Sequence, residues 1–62
     1  MNISTHYGTH KHAGRKAHVI KEGDKYVVIM IQDAAIIEER EITGHTQQYA
    51  EDAAENWVLG VI

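Results

Sequence analysis

The sequence predicts a small α+β domain in which a three-stranded antiparallel meander carries one C-terminal helix on one face, in the order β-β-β-α. Two runs rich in β-branched residues within residues 17–32, a third run over residues 36–43 and a helical apolar repeat over residues 46–59 favour this fold. A chain of 62 residues buries only about 60% of the surface that its unfolded form exposes. We therefore expect a marginal core, reinforced by a partner chain or a metal because Cys is absent.

The first two predicted strands cover residues 17–21 and 25–32 and flank the tripeptide Glu22-Gly23-Asp24. Gly23 adopts a positive φ at little cost, which suits a tight hairpin loop. A second turn is expected at residues 33–35. The third strand, over residues 36–43, is the weaker prediction because it contains the polar run EERE, and a helix over residues 34–41 is the alternative.

The C-terminal helix is expected to begin after an N-cap at Thr46, to run through Leu59 and to end at Gly60. Its predicted apolar face is lined by alanines, whose small side chains permit close approach to a sheet. The residues of this face are Tyr49, Ala50, Ala53, Ala54, Trp57, Val58 and Val61. Tyr49 and Trp57 are expected to fill the space at either end of the helix.

The second predicted strand is apolar on both faces, which bears on function. Alternation assigns Tyr26, Val28 and Met30 to one face. The other face receives Val27, Ile29 and Ile31. A single helix covers only one face, so we expect these last three side chains to contact another protein, either an identical subunit or a heterologous target.

Charge is unevenly distributed along the chain. Residues 1–21 carry four cations and no acid, whereas the remainder carries nine acids and two cations. We expect residues 1–16 to form a flexible, basic, histidine-rich arm, separable from a domain of residues 17–62, because Gly8 and Gly14 favour irregular backbone. As an alternative function, the arm could bind the phosphates of a nucleic acid through Lys11, Arg15 and Lys16.

Three histidines lie close together in the arm, in the stretch HYGTHKH. His6, His10 and His12 could supply nitrogen ligands to zinc, nickel or copper, with His18 or Asp24 as a fourth. These histidines lie beside glycines and have no evident groups to orient their rings. Metal binding is therefore a second alternative, and the main prediction includes no cofactor.

The predicted body resembles the C-terminal portion of a double-stranded-RNA-binding domain. The resemblance rests on the β-β-β-α order and on the alanine-rich helix sequence AEDAAENW, and it covers about the last two thirds of the chain. It implies phosphate contacts from lysines at the start of the helix. The corresponding stretch here is HTQQYAED, which has two acids and no Lys or Arg, so this chain departs from the family where the family binds RNA.

The sequence gives little support for an enzymatic function, because the chain has one serine, no cysteine and no glycine-rich phosphate loop. We therefore predict a small acidic protein-interaction module without enzymatic activity. In size and acidity it is similar to short accessory proteins of tailed phages, which implies binding to a host protein. Glu51, Asp52 and Glu55 on the helix, together with Glu38, Glu39 and Glu41 of the third strand, are candidates to contact a basic target. The longest apolar run, residues 26–31, is too short to cross a bilayer, and we expect a cytoplasmic protein.

Overall fold

A computed structural model describes residues 2–61, which form one antiparallel sheet and one helix. The strands are β1 (Asn2–Tyr7), β2 (Arg15–Glu22), β3 (Lys25–Gln32) and β4 (Ala35–Ile42), and the helix is α1 (Gln47–Val58). A short 3₁₀ turn at His10–His12 connects β1 to β2. The strands are neighbours in chain order, so the sheet is a meander with β1 and β4 at its edges. The predicted α+β class with a C-terminal helix is confirmed.

The prediction of three strands is wrong, because residues 2–61 contain a fourth strand, β1, at the start of the chain. Its backbone pairs with β2, with Thr5 opposite His18 and His6 opposite Ala17. The loop between β1 and β2 begins with a backbone hydrogen bond, which the Gly8 amide donates to the Arg15 carbonyl oxygen at 2.9 Å. The predicted arm of residues 1–16 thus contributes β1 and the first two residues of β2 to the sheet.

The two tight turns of the meander use positive backbone φ angles. Gly23, between β2 and β3, has a φ of 65°, as the sequence predicts. Between β3 and β4, Asp33 and Ala34 have φ angles of 52° and 70°. Two consecutive positive φ values are the pattern of a type I′ hairpin turn, which favours Asn or Asp followed by Gly. Alanine at the second position is therefore strained.

Replacing Ala34 by Gly should stabilise the protein, because Gly removes the penalty of a side chain in the left-handed region. That penalty is about 1 kcal/mol or more, which corresponds to a rise in melting temperature of about 4–8 °C for a domain of this size. Ala13→Gly is the matched control, since Ala13 has a φ of −62° and Gly there should lower stability. A thermal melt in which Ala34→Gly is no more stable than the parent would contradict the turn geometry.

The hydrophobic core lies between α1 and the sheet. Its fully buried side chains come from β2, β3 and α1, with Ile42 at the end of β4; they are Ala17, Val19, Val28, Met30, Ala50, Ala54 and Val58. The Thr46 hydroxyl accepts a hydrogen bond from the Tyr49 amide at 3.2 Å, which confirms the predicted N-cap. At the other end Gly60 has a φ of 75° and its amide bonds the Trp57 carbonyl oxygen, as expected of a terminating glycine.

The buried helix face is narrower than the sequence predicts. Ala50, Ala54 and Val58 are buried in the core, and Ala53 and Trp57 pack at its margin. Tyr49 does not fill the end of the core, because its side chain is half exposed and stacks on His45, with ring centroids 3.9 Å apart. The alanine positions let α1 lie close to β2 and β3, and the outer part of β4 remains uncovered.

Candidate interaction surface

The surface of the sheet opposite α1 has no covering element among residues 2–61; we call it the open face. Cross-strand register places side chains from all four strands on it. They are Asn2, Thr5 and Tyr7 in β1, Lys16, His18, Ile20 and Glu22 in β2, Lys25, Val27, Ile29 and Ile31 in β3, and Ile36, Glu39 and Glu41 in β4. The sequence prediction that Val27, Ile29 and Ile31 share one face is consistent with this register.

The centre and the two sides of the open face are apolar. Ile20, Ile29 and Ile31 are half-buried by their neighbours in the sheet. The exposed fraction rises to 67% for Tyr7 and 60% for Ile36, which lie on the two edge strands. Large apolar side chains therefore occur on all four strands, with Lys16 between Tyr7 and Ile31, and an exposed apolar surface of this kind is typical of one that binds another protein.

Val27 contributes less to this surface than the sequence suggests, because it is only 4% exposed. Its cross-strand neighbours are Ile20 and Glu41, and Lys25 lies two residues before it on the same strand. The Lys25 ammonium and the Glu41 carboxylate form an ion pair of 3.1 Å beside Val27. A partner on the open face would thus contact Ile29 and Ile31 rather than Val27.

The polar groups of the open face are divided between its two sides. Lys16 and His18 lie on β2, and the Thr5 hydroxyl is 2.9 Å from Nδ1 of His18. Glu39 and Glu41 lie on β4. The β1–β2 side is therefore basic where Lys16 and His18 lie, with Glu22 opposite Lys25 at its far end, and the β4 side is acidic at Glu39.

The acidic candidates on the helix do not belong to the open face, because α1 packs on the opposite side of the sheet. Glu55 is 2.9 Å from Nδ1 of His6, and Glu51 lies 3.8 Å from the other ring nitrogen. The carboxylates of Glu51 and Asp52 also accept hydrogen bonds from Gln47 and Gln48, each one helical turn earlier. Glu51 and Glu55 therefore join α1 to β1 through His6, whereas Asp52 bonds Gln48 within the helix. The two predicted groups of interaction residues lie on opposite sides of the molecule.

The three histidines proposed as metal ligands lie in two separate parts of the structure. His6 lies in β1 against the helix, with Ser4, Glu51 and Glu55 around it. His10 and His12 lie in the 3₁₀ turn, and the His12 ring packs against Gly60. Within residues 2–61, no three His, Asp or Glu side chains come together in an arrangement that could hold a metal ion.

The basic candidates are separated as well. Arg15 and Lys16 are consecutive in β2 and project to opposite faces of the sheet. The Arg15 guanidinium donates to the Trp57 carbonyl oxygen at 2.7 Å and lies 5.0 Å from the centre of the Trp57 ring. Arg15 therefore fixes the end of α1, while Lys16 is on the open face and Lys11 is exposed in the 3₁₀ turn.

The sequence analysis did not assign Tyr7, His18, Ile20 or Ile36 to the interaction surface. Tyr7 belongs to the segment interpreted as an arm, so its place beside Lys16 depended on finding β1. Ile36 pairs with Ile31 because of a bulge between Met30 and Ile31, and no pattern in the sequence indicates that bulge. Because side chains alternate between the two faces of a strand, residues 16–20 could have placed His18 and Ile20 on the same face as Lys16.

Comparison of the chain with family models, with curated proteins and with solved structures gives no match. Among residues 2–61, no helix is long and apolar enough to cross a membrane. The fold of residues 2–61, a four-stranded antiparallel meander with a helix on one side, therefore defines the class of the protein.

Proposed function

We propose that the chain is a protein-interaction module that binds another protein through the open face. The observation that carries this proposal is the apolar surface spanning the sheet from Tyr7 to Ile36 on the side that α1 does not cover. An apolar sheet face is commonly buried against a second sheet or a helix, and in this protein α1 covers the other face. A contact of this kind would also reinforce a core limited by the length of the chain.

The acidic side chains on β4 also favour a partner with a particular charge. Glu39 and Glu41 border the apolar surface along β4, so a partner with cations at the matching border would associate faster and more selectively. A phage-type accessory protein that occupies a basic surface of a host protein is one form of this function. Nucleic-acid binding is less well supported, because Arg15 is engaged with Trp57 and Lys16 lies among apolar side chains.

Photo-cross-linking in a lysate of the source cells tests the proposal. The parent protein should form defined protein adducts that persist after nuclease treatment, and Ile36→Lys should lose them. Ile36 is well exposed, so this variant is expected to fold. Val61→Lys is the matched control, since Val61 is equally β-branched and exposed but lies beyond the helix. Adducts that are unchanged in Ile36→Lys, or that nuclease removes, would contradict binding through the open face.

A further inference from the structure

We propose that the protein on the open face is a second copy of this chain, so that two sheets pack face to face as a symmetric dimer. This inference rests on the proposed function and names its partner. The dimer would have four layers, with the two sheets in the middle and one copy of α1 on each outer side. Aligned packing of two sheets is a common solution for antiparallel sheets with one apolar face.

The arrangement of side chains across the strands is self-complementary about a two-fold axis parallel to the strands. Such an axis reverses the strand order, so β1 of one copy lies over β4 of the other and β2 lies over β3. Side chains that are neighbours across the four strands form a row on the open face. One such row, read from β1 to β4, consists of Tyr7, Lys16, Ile31 and Ile36. Reversal brings the exposed Tyr7 onto the exposed Ile36 of the partner copy at both edges of the dimer, and it lays the aliphatic part of Lys16 on the partner's Ile31.

Reversal of the next two rows brings no like charges together. Ile20 lies opposite Val27 of the partner copy, and because Val27 is covered within its own sheet, Ile20 supplies most of the apolar area there. Glu39 lies opposite the partner's Thr5, whose hydroxyl bonds His18. The acidic β4 side of each copy therefore faces the side that carries Lys16 and His18.

Charge disfavours a two-fold axis that lies perpendicular to the strands. A two-fold axis perpendicular to the strands would place β4 over β4, so that Glu39 and Glu41 faced the same acids of the partner copy. Like charges brought together at an interface cost several kcal/mol, whereas opposite charges favour association. The distribution of charge on the open face thus selects the axis parallel to the strands.

The area of the open face is sufficient for a dimer of modest affinity. Four strands at about 4.8 Å spacing and about 3.3 Å per residue give a surface of about 500 Å² per copy. Two copies together bury about 1,000 Å², which is near the lower limit for a specific interface. We therefore expect a reversible dimer that dissociates on dilution.

Sedimentation over micromolar to millimolar concentration tests the dimer, with circular dichroism to confirm that each variant is folded. The parent protein and Val61→Lys should associate, whereas Ile36→Lys and Ile31→Lys should raise the dissociation constant at least about tenfold. Lys16→Glu and Glu39→Lys should each weaken the dimer, and the double variant should recover most of the loss. Within one chain these two side chains lie two strands and two residues apart, about 12 Å, whereas in the dimer they are diagonal neighbours on the facing sheets, so recovery would report a contact between copies.

A parent protein that stays monomeric at millimolar concentration would overturn the dimer. Loss of lysate adducts in Ile36→Lys would then retain the proposed function with a different protein as partner, because that assay does not require self-association. Adducts that do not depend on Ile36 would overturn both. Association of the parent that Ile36→Lys and Ile31→Lys leave unchanged would place the dimer contact elsewhere and also contradict the inference.

Discussion

Met30→Ala should remove most of the stability of the domain. Met30 is fully buried in the middle of β3, with Ala17 beside it on β2 and α1 above it. Truncation of a buried methionine costs about 2–5 kcal/mol, and a chain of this length is expected to have about 3–9 kcal/mol in total. Urea denaturation followed by circular dichroism should show a large decrease in the midpoint, or an unfolded protein without urea.

The matched control for this prediction is Met30→Leu, which keeps the volume and the apolar character of the side chain. It should cost less than about 1.5 kcal/mol. If Met30→Ala unfolds at the same urea concentration as the parent protein, the helix does not pack on this part of the sheet. Equal losses for alanine and leucine would indicate strain at this position rather than a cavity.

Deletion of residues 1–14 should unfold the domain or leave a poorly packed intermediate, because the deletion removes β1. The sequence alone predicts the opposite result, since the segment is polar and has few apolar groups. In the structure β1 forms a backbone ladder with β2, and each such hydrogen bond contributes about 0.5–1.5 kcal/mol net. The deletion also removes His6 from Glu51 and Glu55 and exposes β2 as an unpaired edge.

Replacing residues 2–7 by a glycine-serine segment of equal length is the control for chain length and should be equally destabilising. Lys11→Ala changes only an exposed side chain in the connecting turn and should have little effect. Thermal melts of the three variants would distinguish these outcomes. A deletion variant with the melting temperature of the parent would show that β1 is separable, as the composition suggests.

The meander from β2 to β4 and the helix could be predicted because local signals agree there. β-branched runs, Gly23 and the Thr46 cap all indicate the same elements that the structure contains. The strand β1 could not be predicted in this way. Its sequence NISTHY has little apolar content, and its attachment depends on pairing with β2 and on His6 meeting Glu55, which lies 49 residues away in the chain.

The candidate site was predictable at its centre and not at its edges. The two-sided apolar pattern of residues 26–31 identifies Ile29 and Ile31, because alternation in a strand is a local property. The roles of Glu51, Asp52 and Glu55 depended on partners that only the fold supplies. Gln47, Gln48 and His6 contact these acids, while Asp52 and Glu55 stay exposed on the helix, so their role in binding stays a prediction.

The most direct test of the open face as a binding surface is an isotope-filtered nuclear Overhauser experiment on a mixed-labelled sample at millimolar concentration. Within one chain Tyr7 and Ile36 lie on opposite edges of the sheet, about 14 Å apart, so the pair gives no signal in a monomer. The proposed dimer predicts intermolecular cross-peaks between the Tyr7 ring and the Ile36 methyl groups. Their absence, or cross-peaks joining Ile36 to Ile36 of another molecule, would contradict the proposed arrangement.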